Sequence, residues 1–248
     1  MSLNSMRPTV IVFDVDGTLY YQAPVRRAML LRLLWAAVPQ PLAGWRMFRT
    51  LHAYRAAQEH LRGRLAGDAE SEQIRFVCER TGRDRASVVA CVERWMEQEP
   101  LSVLPRCIHR GLPEFLGACK ARGLRLAAVS DYPADAKLRA LGIADLFDLV
   151  LSAQTPEVGV FKPHPRGLLL AAERLDADVR ECLYVGDRAE VDAAAAEAAG
   201  MPCVILTRKK PDASQTYQTV SGYPALQQRL FGPRHTAVGG VLSPESHR

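Results

Sequence analysis

Lysine is scarce in this chain. Only Lys120, Lys137, Lys162, Lys209 and Lys210 are lysines among 32 basic residues, which stand against 27 acidic ones for a formal charge of +5. There is no dense Lys/Arg tract interleaved with aromatics, so the positive excess reads as an arginine-biased composition and no nucleic-acid partner is expected. None of Cys78, Cys91, Cys107, Cys119, Cys182 and Cys203 forms a C-x-x-C pair. Most sit among apolar neighbours, as reduced core residues of a cytoplasmic protein would. A long apolar run is also missing. The most apolar stretch, Ala28 to Val38, is too short to span a bilayer and contains Arg32, so it is expected to be a core helix and no membrane partner is expected. The start has no charged region leading into an apolar one, so no signal peptide is expected, and Met6 is a second candidate start after Met1 to Ser5. No internal repeat is apparent.

What is present is ordinary for a folded chain: 48% hydrophobic and 24% charged residues over 248 positions. That length suits a core with one insertion. Thr9 to Phe13 is a run of β-branched and aromatic residues between Pro8 and the Asp14-Val15-Asp16-Gly17-Thr18 stretch, and it predicts a strand buried on both faces of a parallel sheet. Asp14 and Asp16 alternate along it and would share a face. Gly17 lets the chain turn where a side chain would crowd a ligand. Read alone, the stretch fits equally a strand ending in a common Asp-Gly turn.

From Pro24 to Pro105 the pattern is helical. Met29, Leu30, Leu33 and Leu34 recur at helical spacing; a second helix is expected over 43–65 with an apolar stripe of Trp45, Phe48, Leu51, His52, Leu61 and Leu65; two more are expected over 71–80 and 87–98. Beyond Pro105 strands and helices alternate. Strands are expected over 124–129, 147–151, 182–185 and 203–206, and helices over 111–122, 133–141, 165–175, 189–199 and 223–231. The expected fold is therefore α/β: a Rossmann-like parallel sheet with helices on both faces and an inserted all-helical cap. The boundaries are 7–21 and 105–231 for the core, 22–104 for the cap, and 232–248 for a flexible C-terminal tail.

Four strand ends carry polar residues: Asp14-x-Asp16-Gly17-Thr18; Ser130-Asp131; Lys162-Pro163; and Gly186-Asp187 followed by Asp192. In this order and spacing they resemble the haloacid dehalogenase superfamily of hydrolases, over residues 10 to 207. The resemblance implies a phosphatase-type reaction on a small phosphorylated metabolite, with Asp14 as nucleophile and an aspartyl-phosphate intermediate. Asp16 would protonate the leaving alkoxide and then deprotonate the attacking water. A carboxylate and a phosphate repel, and an oxygen-only site of this kind suits Mg2+. Asp14 and Asp187 would hold it through their side chains, and the family pattern adds Asp16 through its backbone carbonyl. Thr18, Ser130, the amide of Asp131 and Lys162 would bind the phosphoryl oxygens, Lys162 also balancing Asp14. Asp192 would orient Lys162 or a metal-bound water.

Each of these residues has a plainer reading. Ser130 could cap a helix, Lys162 could be a solvated lysine, Asp192 an exposed helix residue, and His164 a loop residue. Arg188 could contact substrate or pair with Glu190 or Asp192. Their joint occurrence favours the hydrolase. Asp16 separates a phosphatase from a dehalogenase-like member, since a halide leaving group needs no acid. Phosphomutase or phosphotransferase chemistry on the same scaffold, or a non-catalytic binding protein, remain alternatives, and the sequence does not fix the oligomeric state.

Overall fold

The computed structural model describes residues 6–64, 67–209 and 215–232. The sheet begins with β1 (Val10–Phe13) and continues through β2 (Arg125–Ser130), β3 (Leu149–Ser152), β4 (Cys182–Gly186), β5 (Cys203–Leu206) and β6 (Gln218–Val220). All neighbours are parallel and the order is β3-β2-β1-β4-β5-β6. The chain winds outward from β1 in one direction and from β4 in the other. The crevice between those two strands is where such sheets receive ligands.

Burial follows the pleat. Ile11 and Phe13 enter one core with Leu126, Ala128, Leu183 and Val185, while Val10 and Val12 enter the other with Ala127, Val129 and Tyr184. The first core is covered by α5 (Leu112–Lys120), α6 (Asp135–Ala140) and α9 (Tyr223–Phe231). The second is covered by α7 (Arg166–Arg174) and α8 (Ala194–Ala199), the latter entered through a π turn over Ala189–Ala193.

Between β1 and β2 lie α1 (Gln22–Ala37), α2 (Pro41–Leu61), α3 (Ala69–Thr81) and α4 (Arg85–Val92), the last continuing as a π turn through Gln98. Both ends of this segment meet at one neck. Tyr20 bridges Ile108, the Tyr21 amide donates to the Cys107 carbonyl at 2.8 Å, and the His109 amide donates to that of Leu19 at 3.0 Å. The segment has its own small core of Ala53, Tyr54, Ala57, Ile74, Val77, Val88 and Val92. The helices expected from Ser71 and Ser87 start earlier because Asp68 and Asp84 cap them, accepting the Ser71 and Ser87 amides at 2.9 and 2.8 Å.

Two expectations need correcting. The stretch 28–38 is not a core helix: α1 buries Val25 and Met29, but Leu30, Leu31, Leu34, Trp35 and Val38 on its other side face solvent. The stripe expected on α2 is right at Leu51 and Leu61, which are buried, and wrong at Trp45 and His52, which are exposed. Thr50, Tyr54 and Gln58 are buried instead, because α2 turns toward α3 and the strand ends the face that carries its small and polar residues. β6 escaped the sequence because three residues with two polar members carry no strand pattern. Met1 to Ser5, Leu65 and the tail after Gly232 lie outside the described residues.

Candidate active site

The site forms where β1 and β4 end. The Asp14 amide donates to the Val185 carbonyl at 2.9 Å, which fixes the first carboxylate beside the second strand. Asp14 accepts Lys162 Nζ at 2.5 Å on Oδ1 and Thr18 Oγ1 at 2.9 Å on Oδ2. Lys162 Nζ also donates to Asp192 Oδ1 at 2.7 Å and to Tyr184 Oη at 3.0 Å, and that hydroxyl donates to Asp192 Oδ1 at 2.9 Å. Asp192 Oδ2 accepts the amides of Asp187 and Arg188 at 3.2 and 3.0 Å. Both oxygens of Asp192 are thus engaged, and the carboxylate orients Lys162. Glycine is required at 186, where a Cβ would stand 2.5 Å from that of Asp192.

Three carboxylates share this one ammonium. Asp14, Asp187 and Asp192 each bring an oxygen to a common space, all within 4.8 Å of one another. Burial would drive Lys162 toward neutrality, but Asp14 and Asp192 hold its pKa well above the ordinary lysine value. Burial likewise opposes the charge on Asp192, and the Lys162 ammonium outweighs it, keeping Asp192 below the usual carboxylate range. The surplus falls on the other two. Burial, with Asp192 and Asp187 nearby, pushes Asp14 up to about 8 despite Lys162. Burial and Asp192 push Asp187 up to about 6.

This surplus fits a divalent cation. Asp187 Oδ1 is buried and has no hydrogen-bond partner. Its other oxygen presses on Gly17, where a Cβ would lie 2.3 Å away and φ is +106°. Hard oxygen donors with two uncompensated charges are what Mg2+ selects. Asp187 Oδ1 is free to supply one, and each Asp14 oxygen takes a single hydrogen bond and keeps a lone pair, whereas each oxygen of Asp192 already accepts two. The Asp16 carbonyl accepts only a 3.5 Å contact from Gln22 Nε2.

Asp16 stands apart from the Lys162 cluster. Its carboxylate takes Lys137 Nζ on both oxygens at 2.7 Å and also accepts the Tyr20 hydroxyl. Burial alone would raise its pKa, but Lys137 and then Tyr20 bring it below the usual carboxylate range. Neither partner was foreseen: Lys137 lies 121 residues away in α6. The available signal was lysine's scarcity, since two of the five lysines in an arginine-rich chain serve this site.

The helical insertion also reaches in. Asp131 Oδ2 accepts Gln58 Nε2 at 2.8 Å and Arg62 Nη1 at 2.9 Å, and Asp131 Oδ1 accepts the Lys162 amide at 3.2 Å. Arg62 Nη1 donates as well to the Lys162 carbonyl at 2.9 Å. Ser130 is buried, its Oγ accepting the Tyr132 amide at 3.2 Å. Thr18 is buried too, with its carbonyl held by the Tyr223 hydroxyl at 2.9 Å. His109 Nε2 donates to the Gly17 carbonyl at 3.0 Å, another contact the sequence did not announce. His164 Nδ1 accepts the Arg166 amide at 3.2 Å, a loop role, and Arg188 pairs with Glu190 at 3.1 Å.

A family model described as a haloacid dehalogenase-like hydrolase matches residues 8–200. The chain belongs to the haloacid dehalogenase-like hydrolases. A phosphoglycolate phosphatase of Escherichia coli strain K12 is 32% identical over 219 residues, covering 79% of this chain and 80% of the relative. The crystal structure of a 2-haloacid dehalogenase from Pseudomonas syringae pv. tomato superposes with a TM-score of 0.65 at 22% identity, over 90% of this chain and 98% of the other. The hydrolase YfnB of Bacillus subtilis, solved bound to magnesium, gives a TM-score of 0.61 at 20% identity, over 90% and 99% of the two chains.

In this haloacid dehalogenase-like hydrolase the carboxylates open into a cavity of about 470 Å³. Asp14, Asp16, Lys137, Lys162 and Asp187 form its floor, and Met29, Leu33, Leu51, Trp95 and Leu104 line it from the segment between β1 and β2. Arg26 and Arg55, both exposed, also line it.

Proposed function

We propose that this hydrolase is an Mg2+-dependent phosphomonoesterase for a small phosphorylated metabolite, with Asp14 as nucleophile and Asp16 as general acid and base. The observation that carries the reading is the carboxylate surplus at Asp14 and Asp187, where Asp187 holds one oxygen against Gly17 and the other, Oδ1, buried without a partner. A bound cation, held by Asp14, Asp187 and the Asp16 carbonyl, would offset two charges and draw electron density from a phosphoryl oxygen.

The protein's own groups divide the remaining work. An Asp14 oxygen attacks phosphorus as the ester P–O bond breaks, and Asp16 delivers a proton to the departing alkoxide. Asp16 then takes a proton from water, which attacks phosphorus and releases Asp14 and inorganic phosphate. Lys162, Thr18, Ser130 and the Asp131 amide hold the transferring oxygens, and the ammonium offsets charge that builds on them. Lys137 and Tyr20 favour the ionised, base form of Asp16, so their grip loosens for the proton-donating step. Asp192 keeps Lys162 aimed at Asp14. Residues 22–104 act as a cap on a core of 7–21 and 105–231, and Gln58 and Arg62 latch it to Asp131; the enzyme works in the cytoplasm.

Phosphoglycolate is the substrate named for the curated relatives. It belongs in the first panel, although a 470 Å³ cavity is in the range of sites that hold drug-sized ligands rather than a two-carbon acid. The test is phosphate release from such a panel with and without Mg2+. Release should require the cation, and Asp14→Asn should lower kcat by on the order of 10⁴-fold or more while leaving the melting temperature nearly unchanged. Activity surviving in that variant removes Asp14 from the nucleophile's role. Labelled phosphate arriving on an acceptor alcohol instead of in water would identify a transferase.

A further inference from the structure

Among the described residues, seven of the nine exposed large hydrophobic side chains fall within residues 30–45. Leu30, Leu31, Leu34, Trp35 and Val38 recur at helical spacing and make one face of α1, opposite the buried Val25 and Met29. Leu42 and Trp45, a turn apart at the start of α2, extend that face around the hairpin. Trp35 and Trp45 are 77% and 58% exposed. A contiguous apolar patch of this kind on a folded surface marks an interaction site.

The charge around the patch selects its occupant. Residues 22–64 contain eight arginines, no lysine and a single acid, Glu59. Arg27 and Arg46 are exposed, and the side chain of neither has a partner among the described residues. A second copy seated across a two-fold axis would bring these like charges together. An anionic lipid surface would instead receive both the arginines and the Leu/Trp face, the arrangement of helices that lie in a membrane interface. No helix of the described residues is long and apolar enough to cross a membrane, so the contact is peripheral. Leu30 belongs both to this face and to the wall of the active-site cavity, which places the mouth of the cavity beside the docked surface.

We propose that the α1–α2 hairpin docks this enzyme on anionic lipid bilayers, with Leu34, Trp35, Leu42 and Trp45 entering the interface and Arg27 and Arg46 against the headgroups. The full-length protein should co-sediment with phosphatidylglycerol/phosphatidylcholine vesicles, about tenfold more weakly with pure phosphatidylcholine, and should release as salt rises. Tryptophan emission should shift to the blue on binding, since Trp95 is already buried and the other two indoles are not.

The variants Leu34→Ser/Trp35→Ser/Trp45→Ser and Arg27→Gln/Arg46→Gln should each weaken partitioning by about tenfold. Because all five side chains are exposed, the melting temperature should stay at the wild-type value, and that measurement separates lost docking from lost folding. The proposal is overturned if anionic vesicles bind no protein, or if neither variant changes the binding. It is equally overturned if the protein self-associates through this face, the serine variant dissolving a dimer that never partitions onto vesicles.

Discussion

The sheet's strand ends and the α1–α2 hairpin invert the usual placement of side chains. At the strand ends, charged groups are buried: Asp14, Lys162 and Asp192 are each 6% exposed or less. On the hairpin, leucines and tryptophans stand in water. Both arrangements are unfavourable by themselves. The first is largely resolved inside the molecule, by Lys162, Tyr184, Thr18 and two backbone amides, and leaves a defined remainder at Asp187. The second has little such resolution among the described residues: the Arg49 guanidinium lies 4.7 Å over the Trp45 ring, and the leucines and Trp35 stay exposed. A surplus that is chemically specific points to a small ligand of matching charge, and one that is broad and apolar points to a surface.

The strand-end half of the comparison breaks most severely at Lys162. Lys162→Met would leave the buried Asp14 and Asp192 carboxylates with no ammonium, and urea unfolding should report a loss of about 3–5 kcal/mol. A loss under about 1 kcal/mol would mean that Lys162 and its partners are not a buried charge network.

Lys137→Met probes the neighbouring pair. Asp16 loses the cation that holds its pKa down and keeps the burial that raises it. The limb of the pH–rate profile that reports Asp16 therefore moves to higher pH, and an unchanged profile would contradict the pairing.

The contrast between regions is sharpened by two identical truncations. Leu183→Ala, at a fully buried β4 position, should cost about 2–5 kcal/mol, whereas Leu34→Ala should change stability by less than about 0.5 kcal/mol. Equal losses would show that the hairpin face is covered in solution.

The same contrast explains what the sequence revealed. β1 and β4 carry continuous apolar runs whose ends are punctuated, so the strands, and with them Asp14 and Asp187, were readable locally. Ser130, Lys162 and Asp192 gained meaning because each follows a strand or opens the next helix in a fixed order. Lys137, Tyr20, His109, Gln58 and Arg62 were not readable: each meets its partner through tertiary packing, and a polar helix residue facing a site looks in sequence like one facing water. The exposure of α1 was hidden for the complementary reason. Periodicity shows that a helix has apolar faces and is silent on which of them the rest of the chain covers.

The cation site depends on the surplus at Asp187. Its raised pKa means that the folded, cation-free protein holds this proton to about pH 6, while the unfolded chain releases it near the ordinary carboxylate value of 3.8. The unfolded state thus binds fewer protons across that window, and stability falls as pH rises through it, by on the order of 2 kcal/mol once the group is ionised. Asp187→Asn should therefore leave the cation-free protein at pH 7.5 at least as stable as wild type. The deciding measurement is the melting temperature of both proteins across an Mg2+ titration at pH 7.5 and at pH 5. Wild type should be stabilised at pH 7.5, only weakly at pH 5 where Asp187 is protonated, and the variant at neither. Equal stabilisation of wild type and variant, or none of wild type at pH 7.5, would contradict a divalent cation site between Asp14 and Asp187.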